Sequence, residues 1–368
     1  MKKKNLCKTL VKTMCIVLGI LILALLAYIV YLYASYYRIE DNQELVVEAP
    51  VDDTTTGAAA VLATDTEYSA VTYNIGFGAY LPDYSFFMDG GTSSWAESPE
   101  TVQYAINGAG ELVKSLDPDF ALIQEIDLDA TRSYHTNEYE MLRSSLSEYT
   151  TVFAQNYDSA FLFYPFTQPH GSSRSGLGLF SRYPVSSALR RSFPISTSFS
   201  KFFDLDRCYS VSRIPVDNGK ELVIFNLHMS AYGNSDAIRK GQIEMLCNDM
   251  AKEYEAGNYV LCGGDFNHDL KASEEDAENC ESWAFPFPRT ELPEHFAFCL
   301  DLLSTEEQAA LWNSARNADM EYVPGVTYTV TLDGFIISDN IECLSYENVN
   351  TGYSYSDHDP VKVEFMLK

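Results

Sequence analysis

The sequence predicts an α/β or α+β domain preceded by one membrane-spanning helix, and three observations predict it. Short apolar runs alternate with helical segments over about 300 residues, the signature of one mixed domain. Nearly every apolar run ends or begins at an Asn, Asp, Glu or His, where α/β proteins tend to keep their ligands. An uncharged apolar stretch, residues 13–37, precedes all of this.

That stretch, "MCIVLGILILALLAYIVYLY" at its centre, is long enough to span a hydrocarbon core of roughly 30 Å. Lysines 2, 3, 4, 8 and 12 precede it within a basic tail, residues 1–12, and acids follow from Glu40. The positive-inside bias then leaves the N-terminus in the cytoplasm and the rest outside, as a single-pass protein of the cell membrane. The run is longer than the apolar core of a cleaved signal peptide, and its tyrosine-rich end lacks a small-x-small cleavage site. It therefore reads as an uncleaved anchor, with Tyr31, Tyr33, Tyr36 and Tyr37 as an aromatic belt.

Residues 38–67 are acidic and rich in Thr, Ala and Asp, and read as a linker or stalk. The domain follows over 68–368. Its expected strands are 70–73, 120–123, 176–180, 222–226, 259–262, 334–337 and 361–365. Its expected helices are 99–116, after Ser98, and 235–255, opened by a Ser–Asp cap and closed before Gly257. Residues 271–323 stand apart as an insertion: acidic, then "WAFPFPRTELPEHF", then a helical "STEEQAALWNSARNA". There is no solenoid-type repeat.

Charge narrows the function. Residues 1–39 hold five lysines and Arg38 and no acid, so the remainder carries −33 against −27 for the whole chain. A surface that acidic repels polyanions, which counts against tight general nucleic-acid binding, although a nuclease needs only local contact. The eight cysteines show no zinc spacing. Cys247 and Cys262 read as buried thiols, and Cys280 and Cys299 flank an irregular segment where they could pair in an oxidising compartment.

The polar strand ends carry the chemistry. "VTYNIG" ends in Asn74, "ALIQEID" in Gln124–Glu125 and "VIFNLHMS" in Asn226 and His228. "VLCGGDFN" ends in Asp265 and Asn267, "TLDGFIIS" begins with Asp333, and "YSDHDPV" presents Asp357 and His358. Singly, each is explained as a turn former, a solvated edge or a satisfied core histidine. Six at one kind of position, in a chain with only six histidines, are not explained by turns.

In this order, "YNIG", "IQEID", "GLGLFSRYPV", "FNLHMS", "GGDFNHD", "LDGFIIS" and "SDHDPV" resemble the endonuclease/exonuclease/phosphatase superfamily from about Tyr68 onward. The resemblance implies a four-layer α/β/β/α sandwich of two β-sheets flanked by helices. It also implies a phosphoester hydrolase, of phosphodiesterase or nuclease type, that uses Mg²⁺, with Mn²⁺ as the alternative. Glu125 would be the main metal ligand, with Asn74 and Asp357 beside it. Asp265 would orient or deprotonate the attacking water and Asn267 would hold it or a phosphate oxygen. His358, oriented by Asp333, and His228 would donate to phosphate oxygens. Which group is the formal base stays open, and His268 and Asp269 lie beyond the matched core.

Two rivals share some of these residues. Calcineurin-type metallophosphatases carry similar GD and GNHD elements, but their upstream D-x-H and late G-H-x-H are missing. A binding module on the same fold without activity would have lost a metal carboxylate, and none is lost. The expected partners are a phosphoester substrate (lipid head group, nucleotide or nucleic acid) and the membrane; no protein partner is inferred. The aromatic segments 80–91 and 283–288 could stack on a base, touch a membrane, or simply pack.

Overall fold

The computed structural model describes residues 2–52, 61–231, 236–273 and 284–368. The chain divides into two units, Met1–Arg38 and Ile39–Lys368. The first is a helix, α1 (Lys2–Ser35). Its segment Leu6–Ser35 is long and apolar enough to cross a membrane by length and composition.

In the second unit the strands are, in chain order, β1 (Gln43–Glu44), β2 (Val47–Glu48), β3 (Glu67–Asn74), β4 (Phe120–Ala130), β5 (Thr150–Asp158), β6 (Ser173–Ser181), β7 (Ser187–Ser192) and β8 (Cys208–Pro215). They continue with β9 (Glu221–His228), β10 (Tyr259–Asp265), β11 (Phe296–Phe298), β12 (Ala315–Arg316), β13 (Thr329–Val330), β14 (Asp333–Ser338), β15 (Ile341–Asn348) and β16 (Val361–Leu367). They form two seven-stranded sheets, ordered β15-β16-β3-β4-β6-β5-β2 and β1-β7-β8-β9-β10-β14-β11, with β12-β13 as a separate pair.

Side-chain alternation builds the layers. In β4, Phe120 and Leu122 point between the sheets, where they join Leu222, Ile224 and Phe335. Their neighbours Ala121 and Ile123 point the other way, onto Val102, Ile106, Ala109 and Val113 of helix α2 (Pro99–Leu116) and Leu142 of α3 (Glu138–Ser145). Helix α4 (Asp236–Glu255) sets Ile243, Leu246 and Met250 against the second sheet. The result is the expected four-layer sandwich. Helix α2 starts where expected, its Ser98 side chain accepting from the Thr101 N–H with Pro99 in the first turn. Ser235, expected to cap α4, lies outside the described residues.

Two parallel pairs position the site. Strands β3 and β4 run parallel, with Asn74 beside Gln124, and β9 and β10 run parallel, with His228 beside Asp265. Strand β14 runs antiparallel to β10 and begins with Asp333 directly opposite Asp265. A buried polar bridge ties the sheets together just beneath this rim. The Gln124 amide donates to Asn226 Oδ1 at 2.8 Å, and the Asn226 amide donates to the Gly178 carbonyl at 3.0 Å.

Three features differ from the sequence reading. Strands β5, β7, β8 and β15 are not among the expected ones, because Arg, Glu, Gln and Ser break up their apolar runs, some on open faces as in β15 and some buried, as Arg190 of β7 and Ser210 and Ser212 of β8 are. Part of the acidic linker is not a free stalk: Ile39 and Leu62 are buried, β1 pairs with β7, and β2 pairs with β5. Its alternating "QELVVE" covers one edge strand of each sheet, using Leu45 and Val47 as apolar contacts. The described part of the insertion 271–323 is woven into the domain, adding β11 to the edge of β14 and a short helix, α5 (Thr305–Ala310), opened by a capping box from Ser304. Cys247, Cys262 and Cys299 are buried free thiols, while Cys280 lies outside the described residues.

Strands β9 and β10 leave no room for a side chain at Gly264. A Cβ there would sit 2.1 Å from the Leu227 carbonyl oxygen, and φ is +145°. Gly264→Ala should therefore force β9 and β10 apart and cost about 3 kcal/mol, measured as a shift in the urea midpoint. An unchanged midpoint would show that the strands give way freely.

Candidate functional site

Glu125 reaches the rim through a defect in its own strand. The pairing of β4 with β6 skips between Ile123 and Ile126, and Glu125 adopts φ +57°. A non-glycine residue in the left-handed region inside a bulge is strained, and bulges re-aim side chains. The strand beyond the bulge is held by Arg132, which donates to both oxygens of Asp127 at 2.9 and 3.1 Å, while Glu138 accepts from the Asp127 N–H at 2.8 Å.

Asp265 sits at the centre. Its carboxylate accepts from the Asn267 N–H at 2.8 Å and from the Asn74 amide at 3.1 Å; the same amide lies 3.3 Å from Glu125 Oε1. His228 Nε2 is 3.5 Å from Asp265 and 3.9 Å from Glu125. His358 Nε2 is 3.9 Å from Asp265, and its Nδ1 lies 2.7 Å from Asp333 Oδ2. Asn267, at φ +50°, donates its side-chain amide to the Met229 carbonyl at 3.0 Å. Asp357 is aligned by Ser356, whose hydroxyl lies 3.2 Å from it and donates to the Asn74 carbonyl at 2.8 Å. All eight residues named from the sequence thus fall at one rim between the two sheets.

The protonation states separate the two histidines. Burial alone would lower the His358 imidazole, yet Asp333, Asp265 and Asp357 hold it well above its usual range, so it is a cation at neutral pH. Burial holds His228 well below its usual range, helped by the charges of Arg207 and His358, so it is neutral. Burial, followed by repulsion from Asp333, pushes the Asp265 carboxyl up to about 7 against the pull of His358. Burial also lifts Asp357, with Glu125 adding repulsion and His358 and Arg316 drawing it back down.

Acids therefore outnumber cations here, with Glu125, Asp265, Asp333 and Asp357 around the His358 imidazolium. Such an excess of hard oxygen donors in a partly desolvated rim fits a divalent cation of the Mg²⁺ class. Glu125 is partly open, its side chain 23% exposed, whereas Asp265 and Asp333 are buried. Ligand atoms of Asp265, Asp333 and His358 also lie within 4.8 Å of one another. In that trio, however, Asp333 and His358 already share a short charged hydrogen bond.

Sequence reasoning missed Ser314. Its hydroxyl donates to Asp333 Oδ2 at 2.7 Å and accepts from the Asp333 N–H at 3.1 Å. It lies in the insertion, in a polar run with no distinguishing spacing. The unassigned His268 is structural: its Nδ1 lies 2.6 Å from the Phe266 carbonyl and its ring packs on Phe287. The aromatics of 80–91 mostly pack as well, with Tyr80, Tyr84 and Phe86 buried around Phe77.

Comparison with known proteins agrees with this architecture. Residues 71–303 match the model of the Endonuclease/Exonuclease/phosphatase family. Among solved structures, the chain is similar to an endonuclease/exonuclease/phosphatase from Beutenbergia cavernae (14% identity, TM-score 0.56), covering 82% of this chain and 72% of that one. It is also similar to one from Bacteroides vulgatus (17%, TM-score 0.53; 83% and 100% covered). A third is D. rerio TDP2, complexed with a single-strand DNA product (14%, TM-score 0.52; 82% and 99% covered). No curated protein sequence matches.

If Asp333 is what keeps His358 charged, Asp333→Asn should move the His358 titration downward, as read by NMR of the imidazole. An unmoved midpoint would assign the charge to another partner.

Proposed function

Because the chain belongs to the endonuclease/exonuclease/phosphatase family, we propose that it is a metal-dependent phosphoester hydrolase on the outer face of the cell membrane. The observation that carries this reading is the Asp333–His358 pair aimed at Asp265, within 4 Å of the Glu125–Asn74 group. Glu125, with Asn74 and Asp357 beside it, would hold Mg²⁺, or Mn²⁺ in its place. When bound, the ion supplies positive charge for the oxygens of the reacting phosphoryl group.

The chain's own groups divide the remaining work. Asp265, with a carboxyl near pH 7, is a base matched to neutral solution and takes the proton of the attacking water. The Asn267 N–H steadies that carboxylate and its side chain closes the floor. His358 presents Nε2–H as a charged donor to a phosphate oxygen, held in orientation by Asp333, and strengthens as charge develops. His228, being neutral, donates one N–H without adding charge. Phosphoryl transfer needs this kind of positioning and charge stabilisation more than covalent chemistry. The substrate classes remain a lipid head group, a nucleotide or a nucleic acid, and the DNA product bound by D. rerio TDP2 belongs to the last.

Hydrolysis of a phosphodiester should require Mg²⁺ or Mn²⁺ and vanish in chelator. Glu125→Gln should abolish the metal stimulation, and His358→Ala should cost about 10³-fold or more in rate. Full activity in chelator would overturn the metal reading.

The anchor is tested separately. External protease on intact cells should remove the domain and leave a small N-terminal fragment in the membrane, and protection of the domain would reverse the orientation.

A further inference from the structure

Three things that the catalytic chemistry does not use meet at the catalytic rim. The first is the loop between β5 and β6. Both β4 and β5 run antiparallel to β6, so this loop leaves the sheet at the end that carries Glu125. Its base is fixed: Ser172 pairs with Thr131, the Gln168 side chain holds Ser94, and the His170 ring packs against Phe86 and Phe87. Its tip is aromatic and open, with Phe163, Tyr164 and Phe166 being 49%, 62% and 84% exposed.

The second is the loop between β7 and β8. Strand β8 runs antiparallel to β9, with Tyr209 opposite Leu227, so this loop lies at the His228 end of the other sheet. It exposes Phe199 and Phe203, at 46% and 39%. Just after it, Arg207 donates to the Met229 carbonyl, the same carbonyl that Asn267 holds.

The third is the point where the chain joins the domain. The Ile39 N–H donates to Asp206 at 3.2 Å, its carbonyl accepts from Ser192, and Arg190 clamps the Asp206 carbonyl. Only Tyr36, Tyr37 and Arg38 separate Ile39 from the end of α1. Even fully extended, that link reaches about 14 Å.

We infer that the catalytic rim is also a membrane-docking face, on which the loops 161–166 and 199–203 seat their aromatic side chains in the head-group layer of the bilayer that holds α1. Aromatic rings at the tips of two loops leave apolar area in water that the boundary between head groups and acyl chains would cover. A domain with a net charge of −33 gains nothing from an anionic surface, so the contact is apolar and zwitterionic lipid suffices. The site between the loops then opens toward phosphoesters carried at that membrane surface. The inference rests on the anchored reading of α1.

The test uses the full chain in phosphatidylcholine vesicles with acyl chains brominated near the head group. Single tryptophans are introduced as Leu18→Trp in α1, Phe166→Trp and Phe203→Trp at the loop tips, and Asp217→Trp in the turn at the opposite end. Emission is compared with that of the parent chain. The first three should lose most of the added emission and Asp217→Trp should keep it. Quenching at 18 with none at 166 and 203 beyond that at 217 overturns the docking face and leaves the anchor. Absence of quenching at 18 removes the anchor, and the docking face with it. Quenching at 166 and 203 by a single-stranded oligonucleotide instead of bromolipid identifies base stacking and also overturns docking. Because quenching reports location and not turnover, the result is independent of whether the site hydrolyses phosphoesters.

Discussion

Two carboxylates face each other in the middle of this protein, and the rest of the rim is arranged around that fact. Asp265 and Asp333 are opposed across adjacent strands and both are almost wholly buried. Like charges directly opposite in a sheet are destabilising, and desolvation magnifies the repulsion. The chain offsets it with a shared cation and a ring of donors. His358 takes Asp333 on one nitrogen and faces Asp265 with the other, Ser314 supplies a hydroxyl, and Asn267 and Asn74 supply N–H groups. The compensation is incomplete, since Asp333 Oδ1 has no partner among the described residues. A site left net negative in this way is ready for a cation.

Holding that arrangement requires both sheets to be locked at the same height. The Gln124–Asn226–Gly178 bridge does this with side-chain amides, beneath the rim and out of water. Buried polar networks that are satisfied fix register in a way that apolar packing does not. Strain is gathered just above the bridge, in the left-handed backbones of Glu125 and Asn267 and in Gly264. Rigid sheets below and strained loops above are how a scaffold holds charged groups closer together than they would settle in solution.

Much of this was legible in the sequence, for a physical reason. Central strands buried on both faces read as plain apolar runs, so 120–123, 222–226 and 259–262 stood out, and the polar residues ending them were conspicuous by contrast. Edge strands such as β7 and β15 carry polar residues on their open faces and blur into loops. Ser314 was invisible because its role depends on a contact 19 residues away in the chain, made only after the insertion folds back. The apparent linker misled because composition reports charge, whereas Leu45 and Val47 decide where the segment packs.

The packing of that linker changes what the proposed anchor would mean. A free acidic stalk would let the domain sample every orientation above the membrane and act on whatever diffused near it. Ile39 is instead stitched to Asp206 and Ser192, so the folded domain begins only a few residues after the end of α1. If α1 sits in a bilayer, as proposed, a link that short would keep the domain near it, where the effective concentration of any membrane-borne ligand is high without added affinity. On that proposed reading the tether, more than any single contact in the site, would favour phosphoesters held at the membrane.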